Sequence, residues 1–343
     1  MASSFQTTVI GLDIGGANLK YADSQGRTHC TEFPLWQRPE ELRRQLLADL
    51  KKLVNGEIIG VAAAMTGELA DCFLDRRRGV AHIVERLDAA VATLNLPPPV
   101  YYGADGCFRD SPSAIAETDL TAAANWHALG TFVAREYASD GWLIDIGSTT
   151  TDIIPLRNGQ VATKSQTDFD RLAAQELVYL GGARTPVCSI IDSLQVESRP
   201  VPVMREVFAT MDDVRILLGF TDEAPNDHQS ADGTPRDRSH AANRVARMVG
   251  LDHRRVDIDQ ATDLAKQIHA AARSIVKDAT AKIPRGASVV VSGHARDLLE
   301  NLGAAERMID LTQRLGAEVS RVAPAFAVAK LLSSVLPNAC DAP

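Results

Sequence analysis

Thr8-Val9-Ile10-Gly11-Leu12-Asp13-Ile14-Gly15-Gly16 is an apolar run that ends in an aspartate and then a glycine turn. A second apolar segment, Leu19-Lys20-Tyr21-Ala22, follows at once, and two such segments around a tight glycine turn predict a β-hairpin. The pattern returns 132 residues later as Trp142-Leu143-Ile144-Asp145-Ile146-Gly147, followed by Ser148 and then Thr149-Thr150-Thr151-Asp152-Ile153-Ile154-Pro155. A repeat at this separation predicts two related halves. The expected division is 1–140 for the first and 141–322 for the second, with a terminal helix, 323–343, packing back on the first.

Between the repeats, strands and helices alternate, which gives an α/β class. Strands are expected at 58–64 and 100–102. Helices are expected at 39–53, 79–94 and, as one long element, 113–137. The second half carries helix signals at 168–179, 206–219, 239–249 and 258–282. Residues 287–293 read as a buried strand, with one helix expected from Ala295 and another over 323–335. Residues 221–238 contain no Val, Ile, Leu, Met or aromatic residue. Such a segment is a long polar loop, read as either a lid over substrate or a disordered stretch.

The chain has 343 residues, 45% hydrophobic and 23% charged, with a net charge of −8. That supports two cores without disulfide staples, and it argues against non-specific binding to nucleic acid or to an anionic membrane. No apolar run reaches the ~20 residues of a membrane span. Met1–Gln6 shows no basic-then-apolar leader, and the five cysteines are widely spaced with no C-x-x-C pair. A reducing cytoplasm is the expected location. Cys72 and Cys107 read as buried, inert thiols.

Three glycine turns follow apolar strands: Gly15-Gly16, Gly147-Ser148 and Gly293. Glycine lets the backbone approach a ligand and aim N–H groups at it, which suits phosphate oxygens. Lys20, Ser148, Thr149 and Thr150 add donors. Asp13 and Asp145 stand two residues before a turn glycine, where paired carboxylates facing phosphate suit Mg²⁺. Arg184, beside Gly181-Gly182, is a further candidate for an anion. Arg76-Arg77-Arg78 reads equally well as an anion clamp or as a solvated helix start. His127 reads as a packed helix residue, and the eight histidines show no zinc spacing.

Asp13-Ile14-Gly15-Gly16-Ala17-Asn18 resembles the first phosphate motif of the actin, sugar-kinase and heat-shock-70 superfamily. Asp145-Ile146-Gly147-Ser148-Thr149-Thr150-Thr151-Asp152 resembles its second, and Val290-Val291-Ser292-Gly293-His294-Ala295 resembles part of its adenosine motif. The resemblance implies two RNase-H-like domains with a ligand cleft between them. It also implies cleft roles for Asp13, Gly15, Gly16, Asn18, Asp145, Gly147, Ser148, Thr149 and Gly293. A narrower resemblance spans nearly the whole chain. Ala64-Met65-Thr66-Gly67-Glu68-Leu69-Ala70-Asp71-Cys72-Phe73, Ala124-Asn125-Trp126-His127, Gly181-Gly182-Ala183-Arg184-Thr185-Pro186 and Ala231-Asp232-Gly233-Thr234-Pro235 are similar to blocks of the hydantoinase/oxoprolinase-related family. They resemble above all its branch named for the tetrahydromethanopterin-linked one-carbon transfer pathway.

That branch implies a transferase of methanofuran biosynthesis. It condenses a furfurylamine diphosphate with γ-glutamyltyramine, forms an aryl ether and releases diphosphate. A base must then take a phenol proton of ordinary pKa ~10, and Glu68, Asp71, Asp105 and Asp232 are the candidates. ATP enters only under the alternatives, a small-molecule kinase or a hydantoinase/oxoprolinase-like hydrolase of the same fold. A non-catalytic nucleotide sensor is a further alternative. The implied partners are small molecules, with neither nucleic acid nor membrane.

Overall fold

In the computed structural model, residues 7–299 and 307–336 are described. The chain runs β1 (Thr8–Ile14), β2 (Asn18–Asp23), β3 (Thr28–Glu32), α1 (Leu42–Leu53), β4 (Ile58–Met65), α2 (Arg76–Thr93), β5 (Pro99–Tyr102), β6 (Phe108–Arg109), α3 (Ser111–Ala116), α4 (Thr118–Thr121) and α5 (Asn125–Glu136). It continues through β7 (Gly141–Ile146), β8 (Thr151–Arg157), β9 (Gln160–Val161), α6 (Asp168–Ala173), β10 (Leu177–Val178), β11 (Ser193–Val196), β12 (Arg199–Pro202), α7 (Met211–Leu218), α8 (Arg238–Arg247) and α9 (Ile258–Thr280). It closes with β13 (Ser288–Gly293), β14 (Arg307–Asp310), α10 (Leu311–Leu315), α11 (Ala317–Arg321) and α12 (Ala323–Ser333).

Two compact units emerge. The first takes the chain up to Leu143, Ile154–Ala173 and the described residues from Ile309 onward; the second takes Ile144–Ile153 and Ala174–Met308. The division therefore differs from the expected one at 140/141. Strands β7 and β8 each cross it, and 154–173 joins the first unit because its packing partners lie there: Gly130 on α5 rests against Ile154 and Val161.

The first unit is built on a sheet of order β3-β2-β1-β4-β5-β6. β1 and β2 are antiparallel, whereas β1–β4 and β4–β5 are parallel. Every residue of β1 is buried, as a strand covered on both faces requires. Ile10, Leu12 and Ile14 join Leu42, Leu46, Val80, Ile83 and Leu87 in one core under α1 and α2. Gly11 points the other way, where a Cβ would lie 2.0 Å from the Ala325 carbonyl of α12. Residues 337–343, the end of the expected terminal helix, lie outside the described residues, as do Cys340 and Met1–Gln6.

The second sheet has the order β10-β8-β7-β13-β14, with β9 beside β8. The 3-2-1-4-5 arrangement thus occurs twice, and the fold is α/β of the RNase-H-like, actin-like class.

Several expected helices are shorter. The 113–137 element is three helices, α3 to α5. Ala123 between them has φ +49°, a left-handed conformation that breaks a right-handed helix. The 168–179 element stops at Ala173; Gln175 has φ +55° and Leu177–Val178 pair with β8 instead. The 206–219 element begins at Met211, where Thr210 and Asp213 form a capping box. After Ala295 the described residues form a short turn, Arg296–Leu298, and 300–306 lie outside the described residues.

The polar loop 221–238 is ordered and tethered by ion pairs. Arg236 pairs with Asp212 and Asp227, and buried Arg244 binds Asp213, Asp232, Thr234 and the Pro235 carbonyl. Breaking a buried pair of this kind costs several kcal/mol, on the order of 3–5, so the loop is tied to α7 and α8. Cys72 and Cys107 are exposed, not buried. His127 is packed as expected, 3.0 Å from the Tyr102 hydroxyl, with burial lowering its pKa to about 4.

Candidate functional site

In the first unit, the carboxyl ends of the parallel strands β1, β4 and β5 share one edge of the sheet, the end where α/β folds place ligands. The segments that follow these strands are Gly15–Ala17, Thr66–Glu68 and Gly103–Asp105. Gly15 N–H donates to the Asn18 carbonyl at 3.0 Å, closing the hairpin turn. The Thr66 and Gly67 amides both donate to the Ile14 carbonyl. Gly67 has no Cβ to collide with Leu35 and Gly15, so the Glu68 segment lies beside the first glycine turn. A Cβ on Gly16 would meet nothing within 4 Å; the turn itself does not require glycine there.

Asp13 is directly opposite Lys20 in the hairpin register, and its Oδ2 accepts from Lys20 Nζ at 3.3 Å. The residue is 2% exposed and its Oδ1 is buried without a hydrogen bond. That oxygen fits a hard cation. Among the described residues no group of three His, Cys, Asp or Glu could hold a metal, but Mg²⁺ bound to phosphates needs only one or two carboxylates.

The four candidate bases separate on burial and pairing. Glu68 is 1% exposed, and neither carboxylate oxygen makes a hydrogen bond. Gly79 of α2 packs on its backbone; a Cβ there would lie 2.1 Å from the Glu68 carbonyl. Arg76 Nε stands 3.9 Å from Glu68 Oε1, and Arg76 also pairs with Asp168 at 3.4 Å. Burial is the main reason that the Glu68 pKa rises to about 7; nearby amides and Arg76 offset it in part, and Asp168 adds to it. A carboxyl with that value can take and return a proton near neutral pH.

The other three are unsuited. Asp71 is exposed. Asp105 is gripped by the Arg109 fork at 2.9 and 2.6 Å, which above all holds its pKa down to about 2. For Asp232, burial works upward, but the Thr234 hydrogen bonds and Arg244 outweigh it and bring the pKa to about 2. Arg76 is committed to Glu68 and Asp168, while Arg77 and Arg78 are exposed in the first turn of α2.

In the second unit, Gly147 N–H donates to the Thr150 carbonyl at 2.9 Å. The Gly147 and Ser148 carbonyls accept from Gly182, Ala183 and Arg184 amides at 2.9–3.0 Å. Gly181 lies flat on the Ser148–Thr149 backbone, where a Cβ would come within 2.5 Å of Thr149 N. On the other side, His294 N–H donates to the Ile146 carbonyl at 3.1 Å. Gly147, Ser148, Thr149, Thr150, Gly181-Gly182 and Gly293 thus surround the end of β7. Asp145 is half-buried on β7 and Arg184 is exposed.

Sequence reasoning missed Arg171. It is 1% exposed, and its guanidinium sits 3.9 Å from the centroid of the Trp126 ring. It also missed Asp168, since nothing in the chain marks a partner 92 residues from Arg76.

The hydantoinase/oxoprolinase family model matches residues 60–335. The chain belongs to the hydantoinase/oxoprolinase family. Over 335 residues this family member is 32% identical to the (4-{4-[2-(gamma-L-glutamylamino)ethyl]phenoxymethyl}furan-2-yl)methanamine synthase of Methanocaldococcus jannaschii, covering 96% of this chain and 98% of that one. It is 26% identical to the synthase of the same name from Methanococcus vannielii over 214 residues, 60% of this chain and 96% of that one. Among solved structures, a nucleotide-free acetone carboxylase chain shares the fold at 12% identity and a TM-score of 0.51, over 94% of this chain and 70% of that one. Among its described residues, this hydantoinase/oxoprolinase-family protein has no helix long and apolar enough to cross a membrane.

Proposed function

We propose that this chain is a transferase that condenses a furfurylamine diphosphate with γ-glutamyltyramine. The observation that carries the reading is the near full-length identity to a synthase whose product is a phenoxymethyl furan. In the reaction the phenol oxygen bonds to the furfuryl CH₂ and the CH₂–O bond to diphosphate breaks. The electron pair leaves with diphosphate, and the phenolic proton passes to Glu68. Glu68, near 7, is a far better base than a carboxylate of ordinary pKa, though still weaker than a phenolate. It acts as the attack develops, when the phenol proton has become more acidic.

The turn amides of Gly16–Ala17 and Ser148–Thr150, with Lys20 and Arg184, are assigned to phosphate oxygens, while the Gly15 and Gly147 amides close the turns. Mg²⁺, assigned to Asp13, would neutralise charge growing on the leaving diphosphate; the buried, unbonded Asp13 Oδ1 supports that assignment. No ATP is consumed, and the substrates are small molecules of the cytoplasm.

Purified protein mixed with both substrates should release pyrophosphate and ether in equal amounts. ADP release from added ATP, with no ether formed, would overturn the reading. Gly16→Ala refines it. The space around Gly16 is open and its φ is not left-handed, so stability should stay within about 0.5 kcal/mol of wild type. A methyl group over backbone that a diphosphate approaches should nonetheless raise KM for the diphosphate substrate about tenfold. Unchanged kinetics would remove Gly16 from the site.

A further inference from the structure

We propose that Arg215 and Asp297 form a clamp that sets the two loops around the β7 end, and that they are positioning residues for diphosphate. The inference rests on the assignment of the Gly147–Thr150 turn to that group. Arg215 lies on α7 and its side chain is 3% exposed, so every N–H it carries must find an acceptor. Nε and Nη2 grip Asp297, at 3.1 and 2.9 Å. Nη1 donates to the Gly182 carbonyl at 3.1 Å, and Nη2 to the His294 carbonyl at 2.9 Å and the Phe220 carbonyl at 3.2 Å.

Gly182 and His294 belong to different loops, and each also touches the β7 end. Gly182 N–H donates to the Gly147 carbonyl and His294 N–H to the Ile146 carbonyl. One guanidinium therefore ties together the two segments that flank the phosphate turn. Gly182 has no Cβ, and one built there would stand 2.9 Å from Arg215 Nη1; the glycine keeps the carbonyl within the clamp's reach. Asp297 is fixed in turn by His269 Nε2 at 3.0 Å, and the His269 ring stacks on Phe220 at 5.0 Å. This matches what preorganised amides need. Their direction must be set before the ligand arrives, by groups that do not touch it. Lysine cannot replace Arg215, because a single ammonium cannot span three carbonyls and a carboxylate in a planar fork.

Asp297→Asn and Arg215→Lys are compared with wild type in three measurements: inorganic pyrophosphate binding by calorimetry, KM for each substrate, and amide hydrogen exchange. Both variants should bind pyrophosphate about tenfold more weakly. KM for the diphosphate substrate should rise in step while KM for γ-glutamyltyramine stays unchanged, a split that loss of stability alone does not produce. Unchanged pyrophosphate affinity in either folded variant overturns the clamp.

Wild-type exchange decides the matter even where a variant does not fold. Pyrophosphate should slow exchange together at Gly147–Thr150, Gly182–Arg184 and His294. Slowing confined to Gly147–Thr150 overturns the clamp. Wild-type protein that forms ether but binds no pyrophosphate removes the phosphate turn from the site and the clamp's role with it. Protein that neither binds pyrophosphate nor forms ether overturns the proposed function itself.

Discussion

Glu68→Gln should lower turnover by about 10²–10⁴-fold, the usual worth of a positioned base, while making the protein more resistant to unfolding at alkaline pH. Glutamine keeps the shape of the side chain and the packing of Gly79 on its backbone, and removes only the ability to take a proton. In wild type, the rate should fall as pH drops through about 7, because Glu68 protonates there; in the variant that limb should vanish. Arg76 retains Asp168 as partner, so no cation is orphaned. Turnover close to that of wild type, with the acid limb retained, would remove Glu68 as the base.

The stability half of this prediction follows from the same pKa. Burial raises the folded value to about 7 from an ordinary 4.5. The unfolded chain therefore ionises Glu68 more readily than the folded one. The fold loses stability as pH rises from 4.5 to 7, and the full loss, about 3 kcal/mol by the pKa difference, is present above that range. Below 4.5 it is absent. Glutamine does not titrate, and the cost of burying its amide is the same at every pH. The stability of Glu68→Gln relative to wild type should therefore climb across this window, as read by denaturant unfolding at pH 4.5 and pH 8.5. A flat difference would mean that the carboxyl is solvated in the native state. A base that weakens its own fold is the familiar exchange of stability for activity.

The glycine turns were legible because their signal is local. An apolar run ending in Asp-Ile-Gly states both the strand and its end within seven residues, and the hairpin formed where the pattern put it. The ranking of Glu68 over Asp71, Asp105 and Asp232 was not legible. What separates them is who stands opposite: no side-chain hydrogen-bond partner for Glu68, the Arg109 fork for Asp105, and Thr234 with Arg244 for Asp232. The buried arginines were hidden for the same reason. Arg171, Arg215 and Arg244 read as surface charge, and only the folded chain brings them an aromatic face or a carboxylate up to 82 residues away. The broken helices failed differently. Ala123 and Gln175 adopt left-handed backbone without being glycine, so composition offered no stop signal, and tertiary contacts overrode local propensity.

Gly293→Ala should destabilise the protein by about 3 kcal/mol or more, for a reason unlike the one its sequence context suggests. Placed after an apolar strand, Gly293 reads as backbone for a ligand. In the structure it has φ +86°, and a Cβ would stand 2.1 Å from the Ile146 carbonyl oxygen and 2.5 Å from its carbon. Left-handed strain alone costs about 1–2 kcal/mol, and a collision with backbone that no rotamer change can relieve adds about 1–3. Gly286→Ala isolates the first contribution. Gly286 has φ +78° with nothing within 4 Å of a built Cβ, so that variant should lose only about 1 kcal/mol. The difference between the two melting temperatures then measures the contact between β13 and the end of β7. It should be about 4–8 °C, at about 2–4 °C per kcal/mol for a unit of this size. Ligand is absent from both measurements, so a role in binding cannot produce the gap. Equal melting temperatures would mean that Ile146 and β13 yield at the contact, and would return Gly293 to the ligand reading.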